Sequence, residues 1–157
     1  MKKLTSDYYR NLIFGVEDSL VSTLGVLFGI TSVAGFSKRQ IFLTGIITVV
    51  VEASSMGAGS FLSESTANEL EGSKIKNPIL DGIIMFFAYF FAGFIPLTPY
   101  IILPVAQARY VSVAITIVAL YLLGFIPAKN HKSGIKMALV AGFAVLVGFM
   151  VAYFFRI

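Results

Sequence analysis

The sequence lacks cysteine and tryptophan, and it has one histidine among 157 residues. Without cysteine there is neither a disulfide nor a thiolate ligand, so any metal site must use oxygen, nitrogen or thioether donors. His131 stands in a polar turn without a companion ligand, and we assign it no role. Charged residues are also scarce, at 13% of the chain, compared with about 25% in ordinary soluble domains.

Hydrophobic residues make up 57% of the chain, and the mean hydropathy is +0.88. This composition indicates an integral membrane protein. A net charge of +4 would favour nucleic acid in a soluble chain. Here the lysines and arginines flank apolar segments, where they set orientation, so we expect no nucleic-acid partner. The N-terminus has no apolar run ending in a cleavage site, so we expect no cleaved signal peptide.

Five apolar segments are each long enough to cross a bilayer core, which takes about 20 residues of helix. They cover approximately residues 12–35, 40–62, 79–103, 106–127 and 133–155. We therefore expect an all-α polytopic membrane protein that forms a single transmembrane domain over residues 1–157, with a loop at 63–78. Pro96, Pro99 and Pro104 crowd the far end of the third segment, which should kink or end there.

Lysine and arginine are distributed unevenly between the two sides of the membrane. With the N-terminus inside, the inner side holds Lys2, Lys3, Arg10, Lys74, Lys76, Lys129, Lys132 and Lys136, and the outer side holds Lys38, Arg39, Arg109 and Arg156. The positive-inside rule then predicts a cytoplasmic N-terminus, an outer C-terminus and a cytoplasmic loop at 63–78.

Two adjacent carboxylates, Glu17 and Asp18, lie inside the first apolar segment. A charge that faces lipid at this depth costs about 2.5–3.5 kcal/mol on an insertion scale, so at least one must face a protein interior, a cavity or a cation. Neighbours on a helix point about 100° apart, so the two cannot face the same way. We expect Asp18 to face the functional site and Glu17 to face a neighbouring helix.

The second segment carries Glu52 and, four residues later, Met56, so both lie on one helix face. The helical rise places Asp18 and Met56 nearly level, with Glu52 one turn closer to the bilayer centre. Two carboxylates and a thioether suit a cation of intermediate softness such as Fe(II). The alternative is that Met56 only fills a packing gap and that the acids share a structural hydrogen bond or a proton.

Three more acids stand in the predicted loop: Glu64, Glu69 and Glu71. They either gather cations at a cytoplasmic entrance or form a solvated face that Lys74 and Lys76 partly neutralise. Asp81 begins the third segment, where a carboxylate complements the helix dipole. No acidic residue follows Asp81. We therefore expect the fourth and fifth segments to serve as packing and lipid-facing scaffold.

Three stretches resemble signature sequences of the vacuolar iron transporter family. They are Gly15–Thr23 (GVEDSLVST), Ser55–Gly59 (SMGAG) and Ala92–Tyr100 (AGFIPLTPY), in the family's order. The resemblance extends over all five segments and implies a five-helix homodimer. Such a dimer moves Fe2+, and often Mn2+, out of the cytosol in exchange for protons, along a path between its protomers. Asp18 matches the family's helix 1 carboxylate, and Met56 its helix 2 thioether.

The sequence departs from the family pattern at three places. Ser19 stands where the family has glycine, and Thr48 stands where it has the helix 2 acid, so Glu52, one turn before Met56, is the expected replacement. The plant-type members insert a long Glu-rich metal-binding domain between helices 2 and 3, for which the loop at 63–78 is too short. The compact form favours a prokaryotic cell membrane, or a vacuolar membrane if the source is eukaryotic.

Ligand counting favours a parallel dimer. An octahedral cation site needs about six donors, and one protomer offers Asp18, Glu52 and Met56 as metal ligands. A two-fold axis along the membrane normal would double each donor. Glu17 and Ser22 are expected along the same path. Small residues would let two copies of the first helix approach closely at the axis: Gly15, Ser19, Ser22 and Gly29.

Two other functions remain open, a membrane enzyme acting on lipid head groups and a non-transporting scaffold. Such an enzyme needs a cluster of ionisable groups, and the chain has no D-x-x-x-D pair and a single isolated histidine. A scaffold would leave the intramembrane acids without a use. We therefore expect no enzyme and no permanently bound cofactor, with the divalent metal as the transported substrate and the bilayer as surroundings.

Overall fold

The structure is a computed structural model that describes residues 2–33, 35–72 and 77–154, with side chains from residue 8 onward. Its helices are α1 (Lys2–Thr31), α2 (Lys38–Glu71), α3 (Pro78–Ile102), α4 (Val105–Ala128) and α5 (His131–Phe154). Each of these five contains a stretch long and apolar enough to cross a membrane, as predicted. The orientation of the termini stays a prediction.

Helix α2 is longer than its apolar stretch. It begins after a capping box, in which Ser37 and Gln40 each accept a hydrogen bond from the other's backbone N–H. It ends at Glu71 and is capped by Gly72, whose φ of 64° lies in the left-handed region that favours glycine. The loop predicted for residues 63–78 is therefore wrong over most of its length. Polar residues such as glutamate are good helix formers, so the helix continues past the end of the apolar run.

Helix α3 contains two prolines in its interior and is not broken by them. The Asn77 side chain caps it by accepting hydrogen bonds from the backbone N–H groups of Ile79 and Leu80. The helix continues through Pro96 and Pro99 and ends at Ile102, close to the expected position. The Pro96 carbonyl accepts a hydrogen bond from the Ser112 hydroxyl at 2.7 Å, which ties α3 to α4.

Helix α1 lies at the centre of the described fold, because it packs against each of the other four helices. Helix α2 packs mainly on α3 and also on α1, whereas α4 and α5 form a hairpin on the other side of α1. One buried cluster joins α1, α3, α4 and α5: Leu20, Leu24, Ala92, Leu120 and Ala141. A second cluster joins α1, α2, α3 and α4: Leu27, Ile41, Leu97, Tyr100 and Ala108.

Two glycines, Gly57 and Gly82, allow a close approach of α2 to α3. A Cβ atom added at Gly57 would lie 2.9 Å from the Phe86 Cβ and 3.1 Å from the Gly82 carbonyl oxygen. A Cβ atom at Gly82 would lie 2.8 Å from the Gly57 carbonyl oxygen. Small residues at such crossings let two backbones pack directly in a membrane. This contact fixes how close the polar side chains of α2 come to those of α3.

We expect Gly57→Val to destabilise the fold by about 1–3 kcal/mol, because the new side chain must push α3 away. Gly59→Val is the matched control, since a Cβ atom at Gly59 meets nothing within 4 Å. Thermal unfolding followed by circular dichroism in detergent measures both variants. An equal effect of the two substitutions would contradict this packing.

Candidate metal path

Glu52 is held by hydroxyl groups from two other helices. Ser22 of α1 donates a hydrogen bond to the Glu52 Oε2 atom at 2.8 Å, and the Tyr89 hydroxyl of α3 donates to the same oxygen. The hydroxyls of Ser22 and Tyr89 also contact each other. Among the described residues none hydrogen-bonds to the Oε1 atom. One carboxylate oxygen is therefore fixed by the protein, and the other can accept a proton or coordinate a cation.

Tyr89 itself is firmly positioned. Its side chain is 0% exposed, and its carbonyl oxygen accepts a hydrogen bond from the Ser19 hydroxyl at 2.6 Å. One turn later, a Cβ atom at Gly93 would lie 2.9 Å from the Ser19 Oγ atom. The same Cβ atom would lie 2.5 Å from Val49 Cγ2 of α2. The missing side chain of Gly93 thus lets both α1 and α2 come close to α3, where the Tyr89 phenol reaches Glu52.

Tyr89 was not among the site residues predicted from the sequence. It stands among phenylalanines in α3, where it resembles one more lipid-facing aromatic residue. Its place near the middle of the span was the available signal, because tyrosines of membrane helices concentrate at the two interfaces. A phenol in the bilayer centre needs a hydrogen-bond partner, and a carboxylate is a strong one.

Asp18 lies one helical turn from this group. Its half-buried carboxyl is close enough to Glu52 to interact electrostatically. Ser22 and Glu52 are in contact. One helical turn farther toward the same end of the molecule lie Asp18 on α1 and Met56 on α2. The structure therefore brings Asp18 and Glu52 together, with Met56 on the adjoining turn of α2. Glu17 is also half-buried and interacts electrostatically with Asp18.

A line of half-buried residues runs along α2 at every fourth position: Thr48, Glu52, Met56, Ser60 and Glu64. Helix α2 has 34 residues, about 51 Å at 1.5 Å per residue. A bilayer core is about 30 Å thick, so α2 extends beyond it. The acids expected at an entrance, Glu64, Glu69 and Glu71, lie on this extension of the helix and not in a loop.

The candidate ligands of the described residues are few. Within the described ranges, no three histidine, aspartate or glutamate side chains are grouped so that they could hold a metal ion. The candidate donors of a single chain are the neighbouring Asp18 and Glu52 carboxylates and the Met56 thioether. This arrangement is half of an octahedral set.

An open groove lies between α1 and α5, and Ser22 is one of its lining residues. Its volume is about 610 Å³. The α1 side is formed by Val21, Ser22, Gly25, Val26, Gly29, Ile30 and Val33, and the α5 side by Phe143, Ala144, Val147, Gly148, Val151 and Ala152. The groove is apolar apart from Ser22, which lies at the same depth as Glu52.

Most of the small residues of α1 pack against other helices of the same chain. A Cβ atom at Gly15 would lie 3.0 Å from the Met85 sulfur of α3, and Ser19 hydrogen-bonds to Tyr89. A Cβ atom at Gly29 would lie 3.3 Å from the Gly148 carbonyl oxygen of α5. Gly15 and Ser19 are buried within the protomer, so the prediction that they bring two copies of α1 together is wrong. Gly29 also lines the open groove, and for it the prediction stays a prediction.

Comparison with known proteins gives consistent matches over the whole fold. The model of the VIT family matches residues 9–78 and 71–153. Vacuolar iron transporter homolog 2 of Arabidopsis thaliana is 27% identical over 141 residues, which is 82% of this chain and 71% of that protein. Vacuolar iron transporter homolog 4 of the same plant is 27% identical over 157 residues, covering 91% of this chain and 77% of the relative.

The two family matches together include part or all of every described helix, from α1 to α5. They also include Asp18, Glu52, Met56 and Tyr89, which form the polar group described above. The chain therefore belongs to the VIT family.

Proposed function

We propose that this protein transports Fe2+, and also Mn2+, out of the cytosol in exchange for protons. The observation that carries the proposal is the Glu52 carboxylate, oriented at membrane depth by Ser22 and Tyr89 and neighboured by Asp18. Two relatives are named vacuolar iron transporter homologues. An acid inside a membrane span is costly unless it has a partner, and a passing cation is such a partner.

The geometry gives a chemical basis for exchange. Ser22 and Tyr89 occupy Oε2 of Glu52, so a proton and a metal ion compete for the remaining oxygen. Metal binding to a carboxylate requires the deprotonated form and releases a proton. The Met56 thioether adds a softer donor, which favours Fe2+ over Mg2+ or Ca2+.

The working unit in this proposal is a parallel homodimer with the metal path at its two-fold axis. Each chain contributes Asp18, Glu52 and Met56, and two chains provide about six donors, as Fe2+ and Mn2+ require. The open face of α1 that lines the groove with α5 is the surface that would face the axis, and its Ser22 hydrogen-bonds to Glu52 of α2. An isologous interface of this kind duplicates each ligand at one depth.

The metal would enter from the cytoplasmic end of α2. Glu64, Ser60 and Met56 follow one another at single-turn intervals and lead from the extension of α2 toward Glu52. Glu69 and Glu71 are exposed at the helix end, where they can attract cations. This route assumes the predicted topology, with the N-terminus inside and the C-terminus outside. The membrane would be the cell membrane of a prokaryote, or a vacuolar membrane in a eukaryote.

Reconstitution into liposomes tests the function directly. Dyes for metal and for pH on the two sides of the membrane should report Fe2+ movement accompanied by proton movement in the opposite direction. Proteoliposomes that move neither ion would contradict transport. Turnover of lipid head groups without ion flux would favour the enzyme alternative.

Asp18→Asn should reduce Fe2+ flux by at least about tenfold while the protein still folds. The substitution removes the charge at nearly constant volume, and with it a ligand and a membrane desolvation cost. Gln107→Leu is the control, because Gln107 is exposed at the start of α4 and lies outside the proposed path, so the flux of this variant should stay near wild type. Normal flux in the Asp18→Asn protein would refute the assignment of Asp18 to the path.

Tyr89→Phe should weaken apparent Fe2+ affinity by about tenfold, seen as a higher KM. The phenyl ring keeps the buried volume, but Glu52 loses a hydrogen bond that, to a charged group, is worth about 1.5–3 kcal/mol. Tyr153→Phe is the control, because Tyr153 is an exposed tyrosine of α5, and this variant should keep the wild-type KM. An unchanged KM in Tyr89→Phe, with normal thermal unfolding, would show that the phenol does not orient the transport carboxylate.

A cysteine in place of Val26 should form a disulfide between two protomers. Val26 lies on the open face of α1, outside the hydrogen bonds around Glu52, and the chain has no native cysteine. Val118→Cys, exposed on α4, should remain uncrosslinked under the same mild oxidation. A monomer that transports metal after reconstitution would overturn the dimer.

A further inference from the structure

The turn between α4 and α5 carries a group of cations without protein counter-charges. Lys129, Lys132 and Lys136 are exposed, and no described side chain forms a hydrogen bond or ion pair with their ammonium groups. The sequence has no acidic residue after Asp81. Helix α2, which carries the acids of its extension, packs on α3 and α1 and not extensively on α5.

Cations at the opposite end of the molecule are engaged by the protein. The Lys38 ammonium donates a hydrogen bond to the Ile101 carbonyl oxygen at 2.9 Å. The Arg109 guanidinium donates to the Thr31 carbonyl oxygen at 3.4 Å and lies 5.5 Å from the centroid of the Phe28 ring. The lysines of the α4–α5 turn, in contrast, are available to an external anion.

The turn lies at the depth of lipid head groups. Helices α4 and α5 have 24 residues each, about 36 Å, so their ends reach beyond a core of about 30 Å. Lys136 stands one turn inside α5, and its long side chain can extend to the interface while its stem covers apolar surface. The first two turns of α5 can thus present both of their lysines at the head-group level.

An aromatic group holds the turn in place. The Tyr121 hydroxyl and the His131 Nδ1 atom hydrogen-bond at 2.5 Å, and the His131 ring centroid lies 4.7 Å from that of Phe125. Lys129 ends α4 with a left-handed φ of 48°, so the chain reverses there and brings Lys129 beside the start of α5. Aromatic residues next to lysines are typical of the boundary between lipid and water.

We propose that the α4–α5 turn binds an anionic phospholipid, whose phosphate lies among Lys129, Lys132 and Lys136. Lys132 and Lys136 are one turn apart on one face of α5, so both ammonium groups can reach one phosphate. The exposed apolar residues farther along α4 and α5, such as Leu122 and Leu139, offer a surface for the acyl chains. This site is separate from the path around Glu52.

Native mass spectrometry of the detergent-purified protein tests the site with palmitoyl-oleoyl phosphatidylglycerol and the corresponding phosphatidylcholine. Wild type should bind phosphatidylglycerol at least about fivefold more tightly. The Lys132→Gln/Lys136→Gln variant should lose this preference. The Lys38→Gln/Arg39→Gln variant removes the same charge at the other end and should keep it, as should Lys132→Arg/Lys136→Arg.

Three outcomes would overturn the proposal. Wild type could bind both lipids equally, a comparison that needs no variant. Both glutamine variants could lose the preference equally, which would reflect total charge. Glycerol 3-phosphate at millimolar concentration could displace phosphatidylglycerol, which would indicate a site for a soluble phosphate. Retention of phosphatidylglycerol against glycerol 3-phosphate supports a lipid site.

Discussion

The hydrogen bonds from Tyr89 and Ser22 to Glu52 are the constraint on which the arrangement of α1, α2 and α3 depends. A carboxylate at membrane depth is tolerated only where polar partners compensate for lost hydration. Here the donors come from α1 and α3 and the acceptor from α2, so the three helices must keep one relative position. Gly57, Gly82 and Gly93 permit that position because a Cβ atom at each would collide with a neighbouring helix. Polar bonding and close backbone packing therefore depend on each other.

Much of this organisation could be predicted from the sequence. The five spans follow from apolar length, and the proximity of Asp18 and Glu52 follows from helical rise and the cost of intramembrane charge. The end of α2 was not predictable in this way, because the hydropathy pattern marks where a helix leaves the membrane and not where it stops. Tyr89 was missed because its partner Glu52 lies 37 positions away in the sequence, beyond the range of any local pattern. The small residues of α1 were recognised, but their partners could not be known before the neighbouring helices were in place.

The acidic residues of the candidate path and the exposed lysines of the α4–α5 turn lie in different parts of the fold. Helices α1 and α2 carry the acids inside the membrane, and α3 supplies the phenol that orients one of them. The α4–α5 hairpin has no acid at all and bears its lysines at one end. Because α1 packs against every other helix, it is the element through which the hairpin and the acid-bearing part are joined. Movement of α1 would therefore disturb both its contact with Glu52 and its packing against Gly148.

The uninterrupted course of α2 past the bilayer has a practical meaning for imaging. Helices that a detergent micelle surrounds offer few features by which single particles can be aligned. A helical hairpin inserted in register between Glu71 and α3 would continue the axis of α2 and carry its orientation out of the micelle. Since α2 also bears Glu52 and Met56, such a marker would report any tilt of the helix that holds two of the candidate ligands.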